Sequence, residues 1–171
     1  DTKDIDDAVS VEKTQDGYIL GVHIADVSHY VLPSSQTDVE AFNRGTSVYL
    51  VDRVIPMLPF RLSNELCSLN EGVIRLTMSV FMTIDNGGNI LSTSFHKSFI
   101  KSRARMTYNN VSLILEQHPE DLCSKYSDIV PMLEDMRNLS AILSRRTYKR
   151  GAIDFNIPEA KVVFEKNAIL K

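Results

Sequence analysis

The sequence predicts an α+β fold, mixed and mostly antiparallel strands packed with helices, and three observations carry that expectation. Leu76, Met78, Val80, Met82 and Ile84 alternate with mostly polar neighbours over residues 75–85, the period-two pattern of a half-buried strand. The turn signals Asp16-Gly17 and Asn86-Gly87-Gly88-Asn89 fall between β-rich runs, where they close hairpins. From about Asn109 the apolar spacing becomes helical, with Val111, Ile114 and Leu115 on one side.

Taken in order, Ala8-Val9-Ser10-Val11 and the run from Tyr18 to Ile24 form the first hairpin, leading straight out of the acidic stretch Asp4-Ile5-Asp6-Asp7. Ser35 followed by Asp38 caps a short helix that Gly45 ends, with Val39 and Phe42 as its buried side. A strand follows over residues 47–50. Pro56 and Pro59 then force residues 53–59 into an irregular, extended course. Ser63-Asn64-Glu65-Leu66 opens one or two helical turns that Asn70 and Gly72 stop.

The strand over residues 75–85 turns at the Asn-Gly-Gly-Asn sequence and returns over residues 90–101. His118-Pro119 ends the first of two later helices. The second spans residues 127–150, with Ile129, Leu133, Met136 and Leu143 near one stripe, Pro131 in its first turn and Gly151 at its end. Residues 152–155 and 160–164 read as strands. The chain shows no internal repeat, low-complexity run or flexible linker.

At 171 residues and 43% hydrophobic, the chain can bury a sizeable core as one domain or a large piece of one. A net charge of −3 argues against attachment to nucleic acid by bulk electrostatics and leaves room for a local basic strip. Cys67 and Cys123 lie far apart with no CxxC pattern, which fits a reducing compartment better than a disulfide scaffold. There is no apolar run of membrane-spanning length and no signal-peptide pattern, so the expected location is cytoplasmic with no membrane partner. The start at Asp1 without methionine, and the end at Lys171 just after a strand-like run, are the marks expected of an excised piece.

Candidate chemistry concentrates at the start of the chain. Carboxylates about 5 Å apart repel by roughly 3 kcal/mol per pair at an effective dielectric near 20, so three of them in four residues need compensation. Water supplies it if the stretch is a solvated loop; a divalent cation supplies it if the stretch is folded against the apolar run that follows. In a flat strand Asp4 and Asp6 share one face and Asp7 points away, so convergence of all three requires a bend or bulge. An EF-hand is excluded, because counting from Asp4 puts Val9 where glycine is needed and Gln15 where glutamate is needed. No P-loop, Rossmann glycine pattern or GxSxG elbow occurs, and His23 and His29 read as structural hydrogen-bonding residues.

Lys97, Lys101, Arg103 and Arg105 share sequence parity with Tyr108 just beyond, either a solvated strand face or a strip that tracks phosphates beside a stacking aromatic. Arg145, Arg146, Lys149 and Arg150 suit a helix's last turn for structural reasons alone. Together, a carboxylate knot, aromatics and a basic strip suggest phosphodiester chemistry, with hard oxygen ligands that favour Mg²⁺ or Mn²⁺ over zinc.

Several stretches resemble one family. Asp4-Ile5-Asp6-Asp7-Ala8-Val9, the run from Val22 through His23-Ile24-Ala25-Asp26-Val27-Ser28-His29-Tyr30 to Val31, Ile55-Pro56-Met57-Leu58-Pro59 with Leu62-Ser63-Asn64 and Leu66-Cys67-Ser68-Leu69, then Arg105-Met106-Thr107-Tyr108 and Arg150-Gly151-Ala152-Ile153-Asp154-Phe155 are similar to the RNB catalytic domain of the ribonuclease R / ribonuclease II family, nearest its bacterial ribonuclease R branch. The resemblance covers essentially residues 1–171 and implies a partial RNB domain, the first half of a catalytic domain.

What the resemblance implies is a processive, hydrolytic 3′-to-5′ exoribonuclease that releases nucleoside monophosphates from the 3′ end of single-stranded RNA with Mg²⁺. Asp4, Asp6 and Asp7 match the last three members of the family's aspartate quartet: Asp4 and Asp7 as metal ligands, Asp6 as the catalytically critical carboxylate. Tyr49 and Phe155 match aromatics that clamp bases at the 3′ end, and Tyr108 matches another that contacts the substrate. The pattern places the first quartet aspartate upstream of Asp1 and a segment of arginines downstream, and the family's OB-fold RNA-binding domains are absent too. Residues 1–171 alone are therefore expected to have little or no activity. The competing class is a non-catalytic RNA-binding or scaffold domain of the same fold, against which the retained Asp4, Asp6 and Asp7 argue.

Overall fold

The structure is a computed structural model that describes residues 3–50 and 52–153. Four strands form one antiparallel sheet in the order β1-β2-β5-β6, with β1 at Asp7–Lys13, β2 at Gly17–Ala25, β5 at Ile74–Asp85 and β6 at Ile90–Lys101. A 3₁₀ turn at Val27–His29, helix α1 at Gln36–Arg44, the two-stranded hairpin β3 (Val48–Tyr49) with β4 (Val54–Ile55), and a π-helical turn at Arg61–Leu66 lie between β2 and β5. Helices α2 (Tyr108–Gln117), α3 (Glu120–Lys125) and α4 (Val130–Lys149) follow the sheet. This is the α+β, mainly antiparallel architecture that the periodicities predict.

Both predicted hairpins form where their turns are written. Asp7 pairs with Ile24 and Lys13 with Tyr18 across the first, and Ile74 with Lys101 at the open end of the second. Asp85 closes the second turn by accepting hydrogen bonds from the Gly87 and Asn89 amides, at 2.8 and 2.7 Å, and from the Asn89 side chain at 2.8 Å. These bonds, led by those from Asn89, hold its carboxyl below the usual carboxylate range.

The two faces of the sheet differ. On one, Val11, Tyr18 and Ile84 are buried with Leu139 of α4, and Leu20, Met82 and Met136 pack around them. On the other, Ala25 is buried with Cys67 and Leu69, against Ile5, Ala8, Leu62 and Ile100. The second face also holds a buried polar chain. His23 Nδ1 lies 2.7 Å from Ser79 Oγ and Nε2 lies 3.1 Å from Ser10 Oγ, while Ser79 and Thr77 reach Ser98 at 2.6 and 2.9 Å. Glycine at position 21 leaves room for this chain, since a Cβ there would stand 2.4 Å from Ser10 Oγ and 3.0 Å from His23 Nε2 and displace them. His23 is thus a structural hydrogen-bonding residue, as expected, and burial lowers its pKa.

Several expectations need correction. Val39 and Phe42 do not form a buried side of α1, and Phe42 is 85% exposed; the capping by Ser35 and the stop at Gly45 are as predicted, but among the described residues no element covers the apolar stripe. In the first half of β5 the fully buried residues are Thr77 and Ser79, and Met78 is exposed. The hydroxyl chain, not the apolar alternation, decides which side turns inward there. Helix α4 begins three residues later than predicted, with Pro131 in its first turn, and its best-buried later residue is Leu139. The short α3 was not anticipated. Ala152 and Ile153 lie outside any strand, and the remainder of the predicted strands over 152–155 and 160–164 falls outside the described residues. No helix among the described residues is long and apolar enough to cross a membrane.

Candidate functional site

The acidic stretch is tied to the fold through its backbone. Ser68, fully buried, receives a hydrogen bond from Ile5 N at 3.1 Å and donates one to the Lys3 carbonyl at 3.0 Å. Leu69 N donates to Ile5 O and Ala25 N to Asp6 O, both at 2.9 Å. Arg75 Nε steadies the other side by donating to Ser68 O at 3.0 Å. With its backbone bonded on both sides and Ile5 packed inward, the stretch is no solvated loop. Ile5 and Ala8, three residues apart, both pack on the Ala25–Leu69 cluster, so the strict alternation of a flat strand does not hold between them.

Asp4 and Asp6 line one cavity of about 750 Å³. Asp7 is the first residue of β1, opposite Ile24, and is not among the lining residues. Asp6 remains in contact with solvent, yet the surrounding protein displaces enough water to raise its pKa, and the charges of Asp4 and Asp7 raise it further. The charges of both neighbours therefore reach Asp6 even though only Asp4 shares its cavity. The burial of the Cys67 thiol, followed by the charge of Asp6, raises its pKa too.

Asp26, next to Ala25, is the sharpest contrast. Its Oδ1 accepts from Ser28 Oγ at 2.5 Å and His29 N at 3.2 Å. The Ser28 bond leads the causes that lower its pKa, with partial burial opposing and Lys97 assisting.

Hairpin β3–β4 and the π-helical turn supply the rest of the cavity wall. Tyr49, 69% exposed, sits directly opposite Val54 in the ladder, and both line the cavity. From the turn come Phe60, Ser63 and Asn64. Met57 N donates to Ser47 Oγ at 2.9 Å and Arg44 Nη1 to the Pro56 carbonyl at 2.9 Å, which fixes the proline-rich course beside Tyr49.

Of the predicted site residues, the structure brings Asp4, Asp6 and Tyr49 to one cavity. Tyr108 opens α2, is 97% exposed and does not line that cavity; Phe155 lies outside the described residues. The basic strip is broken: β6 ends at Lys101, and Arg103 pairs with Asp128 at 2.5 Å. Arg105 is held by its backbone N donating to Glu71 at 2.9 Å. In the helix-end cluster, Arg146 donates to the Gly88 carbonyl, a structural role. Sequence reasoning missed Ser68 as the anchor of the acidic stretch and Phe60 as part of the wall; the signal for Phe60 was its place after Pro59 and three and four residues before Ser63 and Asn64.

The donors at this site are carboxylate oxygens, the chemistry a hard divalent cation requires, and burial first, then the charges of Asp4 and Asp7, disfavours the ionised form of Asp6, a cost that a cation would offset. Among the described residues no three histidine, cysteine or carboxylate side chains converge as a cage for such an ion. The fit is thus one of donor type and charge, with Asp4 and Asp6 already sharing the cavity.

The fold and site define an antiparallel α+β domain whose first strand emerges from an acidic cavity walled by an aromatic hairpin. The model of the RNB domain family matches residues 1–171, and the chain belongs to that family. It is 52% identical over 169 residues to ribonuclease R of Thermotoga maritima, covering 98% of this chain and 24% of that protein. To ribonuclease R of Escherichia coli it is 47% identical over 165 residues, covering 96% of this chain and 20% of that protein. Among solved structures it matches Mycoplasma genitalium RNase R in complex with ribose methylated single-stranded RNA, with a TM-score of 0.87, 34% identity, and coverage of 96% of this chain and 26% of the other. The chain spans a fifth to about a quarter of the length of these relatives.

Proposed function

We propose that this chain is the acidic part of the catalytic domain of a 3′-to-5′ hydrolytic exoribonuclease, acting in the cytoplasm on the 3′ end of single-stranded RNA and releasing nucleoside monophosphates. The observation that carries the reading is one cavity that joins Asp4 and Asp6 to the exposed ring of Tyr49 in a chain of the RNB family. Aromatic stacking suits a degrader of mixed sequences because every base offers a π-face. Both described cysteines are free thiols, which fits a cytoplasmic location.

In this reading Asp4 and Asp7 hold Mg²⁺ or Mn²⁺, which when bound supplies charge neutralisation and an activated water. Asp6, which lines the same cavity as Asp4, is the carboxylate on which turnover depends. Tyr49, Tyr108 and Phe155 are the proposed base contacts, and OB-fold domains in the same polypeptide the proposed partners for the rest of the RNA.

The test is Asp6→Asn in the full-length protein. Monophosphate release should fall by at least about 10²-fold, the scale of a lost catalytic carboxylate, with single-stranded RNA affinity nearly unchanged. Equal loss of both would make Asp6 a structural residue and overturn the assignment.

A further inference from the structure

The cavity has a second aromatic wall that none of the predicted RNA contacts includes. Phe60 is 53% exposed and lines the cavity together with Asp4, Asp6 and Tyr49. Its direction follows from the turn it starts. Leu62 packs inward on the Ala25–Cys67–Leu69 cluster, and two residues apart on a helical turn project to roughly opposite sides. Ser63 and Asn64, three and four residues after Phe60, share its face and line the same cavity.

The backbone holds this arrangement. The Pro59 carbonyl accepts from Leu62 N at 2.8 Å and Ser63 N at 3.2 Å, and Cys67 N bonds to Leu62 O at 2.9 Å. Phe60 belongs to neither buried cluster. An apolar ring that lines an acidic cavity and stays half exposed is suited to a flat ligand face.

We propose that Phe60 is a second base-stacking residue of this site, engaging one of the last bases of the RNA while Tyr49 engages another from hairpin β3–β4. The inference rests on the RNA reading above and deepens it, placing a nucleobase against the π-helical turn as well as against the hairpin. Two stacking faces from separate elements would fix the 3′ end relative to Asp6 without reading base identity.

The experiment measures affinity for a fluorescent single-stranded oligonucleotide RNA by anisotropy, in the full-length Asp6→Asn protein so that the RNA stays intact. Phe60→Ala and Phe60→Leu should each weaken binding about 5- to 100-fold, the range expected for one lost stack; leucine keeps apolar bulk but has no π-face. On an RNA whose last nucleotides are abasic, the parent and both Phe60 variants should bind alike. Unchanged binding to intact RNA in Phe60→Ala, or an equal loss on intact and abasic RNA, overturns the stacking role while Tyr49→Ala still shows its own loss. No binding by the parent, or indifference to Tyr49→Ala as well, overturns the RNA reading itself.

Discussion

The sheet with α4 and the segment at residues 27–66 are built on different terms. The sheet buries Val11, Tyr18 and Ile84 under Leu139 on one face and a closed hydroxyl–imidazole chain on the other. No described residue of 27–66 is buried; that segment is shaped by capping at Ser35, by the bonds of Ser47 and Arg44, and by prolines. Regions with few buried contacts open at low free-energy cost, and binding elements are commonly drawn from them. The contrast divides the site: the sheet holds Asp6 through Ala25, and the weakly buried segment supplies Tyr49 and Phe60 to the cavity wall.

The largest effect that separates the two regions is predicted at Leu139. Leu139→Ala removes a nearly fully buried side chain between α4 and the sheet, which should cost about 2–5 kcal/mol with its cavity. Chemical denaturation of the chain checks it. A loss below about 1 kcal/mol would mean that α4 is not a load-carrying partner of the sheet, and the division drawn between the two regions would fail.

How much of this was legible in the sequence follows the same division. Strands β5 and β6 were readable because alternation and the Asn-Gly-Gly-Asn turn report local geometry directly. The inward side of β5 was not, because Thr77 and Ser79 are buried by partners on β2 and β6 that only the pairing reveals. An amphipathic stripe such as Val39 and Phe42 states which side is apolar and not whether anything covers it. Helix α3 has six residues and too few apolar positions to show a period. At the site, Asp4 and Asp6 stood out by charge density and Tyr49 by motif resemblance; the acidic stretch is anchored by Ser68, sixty-three residues from Ile5, a bond no local pattern announces.

An intermediate effect is predicted where the regions meet, at Asp6. Its folded-state pKa lies above the ordinary value of 3.8, so the native chain binds more protons there than the unfolded chain. Stability contributed by this group is therefore greatest at low pH and falls as pH rises from about 3.8 through the raised value. Asp6→Asn lacks that loss. With chelator present, its melting temperature should exceed that of the parent at pH 7 and converge on it near pH 3. The opposite slope would show that the fold favours the Asp6 carboxylate, through contacts that outweigh Asp4, Asp7 and burial. Asp26 and Asp85, whose pKa values are lowered, destabilise the fold on acidification in both proteins and cancel in the difference.

The smallest effect is expected at Phe42. Its ring is 85% exposed on α1, so in residues 1–171 Phe42→Ser forfeits almost no buried area and should change stability by no more than about 0.5 kcal/mol, as surface substitutions do. The helix keeps its Ser35 cap and its Glu40–Arg44 pair at 2.8 Å. The substitution also separates two explanations of an apolar stripe with no cover. If α1 is stabilised only by its own caps and pairs, the melting temperature of the chain is unmoved. If the loss exceeds about 1.5 kcal/mol, the ring is covered in solution, and the segment at residues 27–66 has a core of its own that the contrast with the sheet denies.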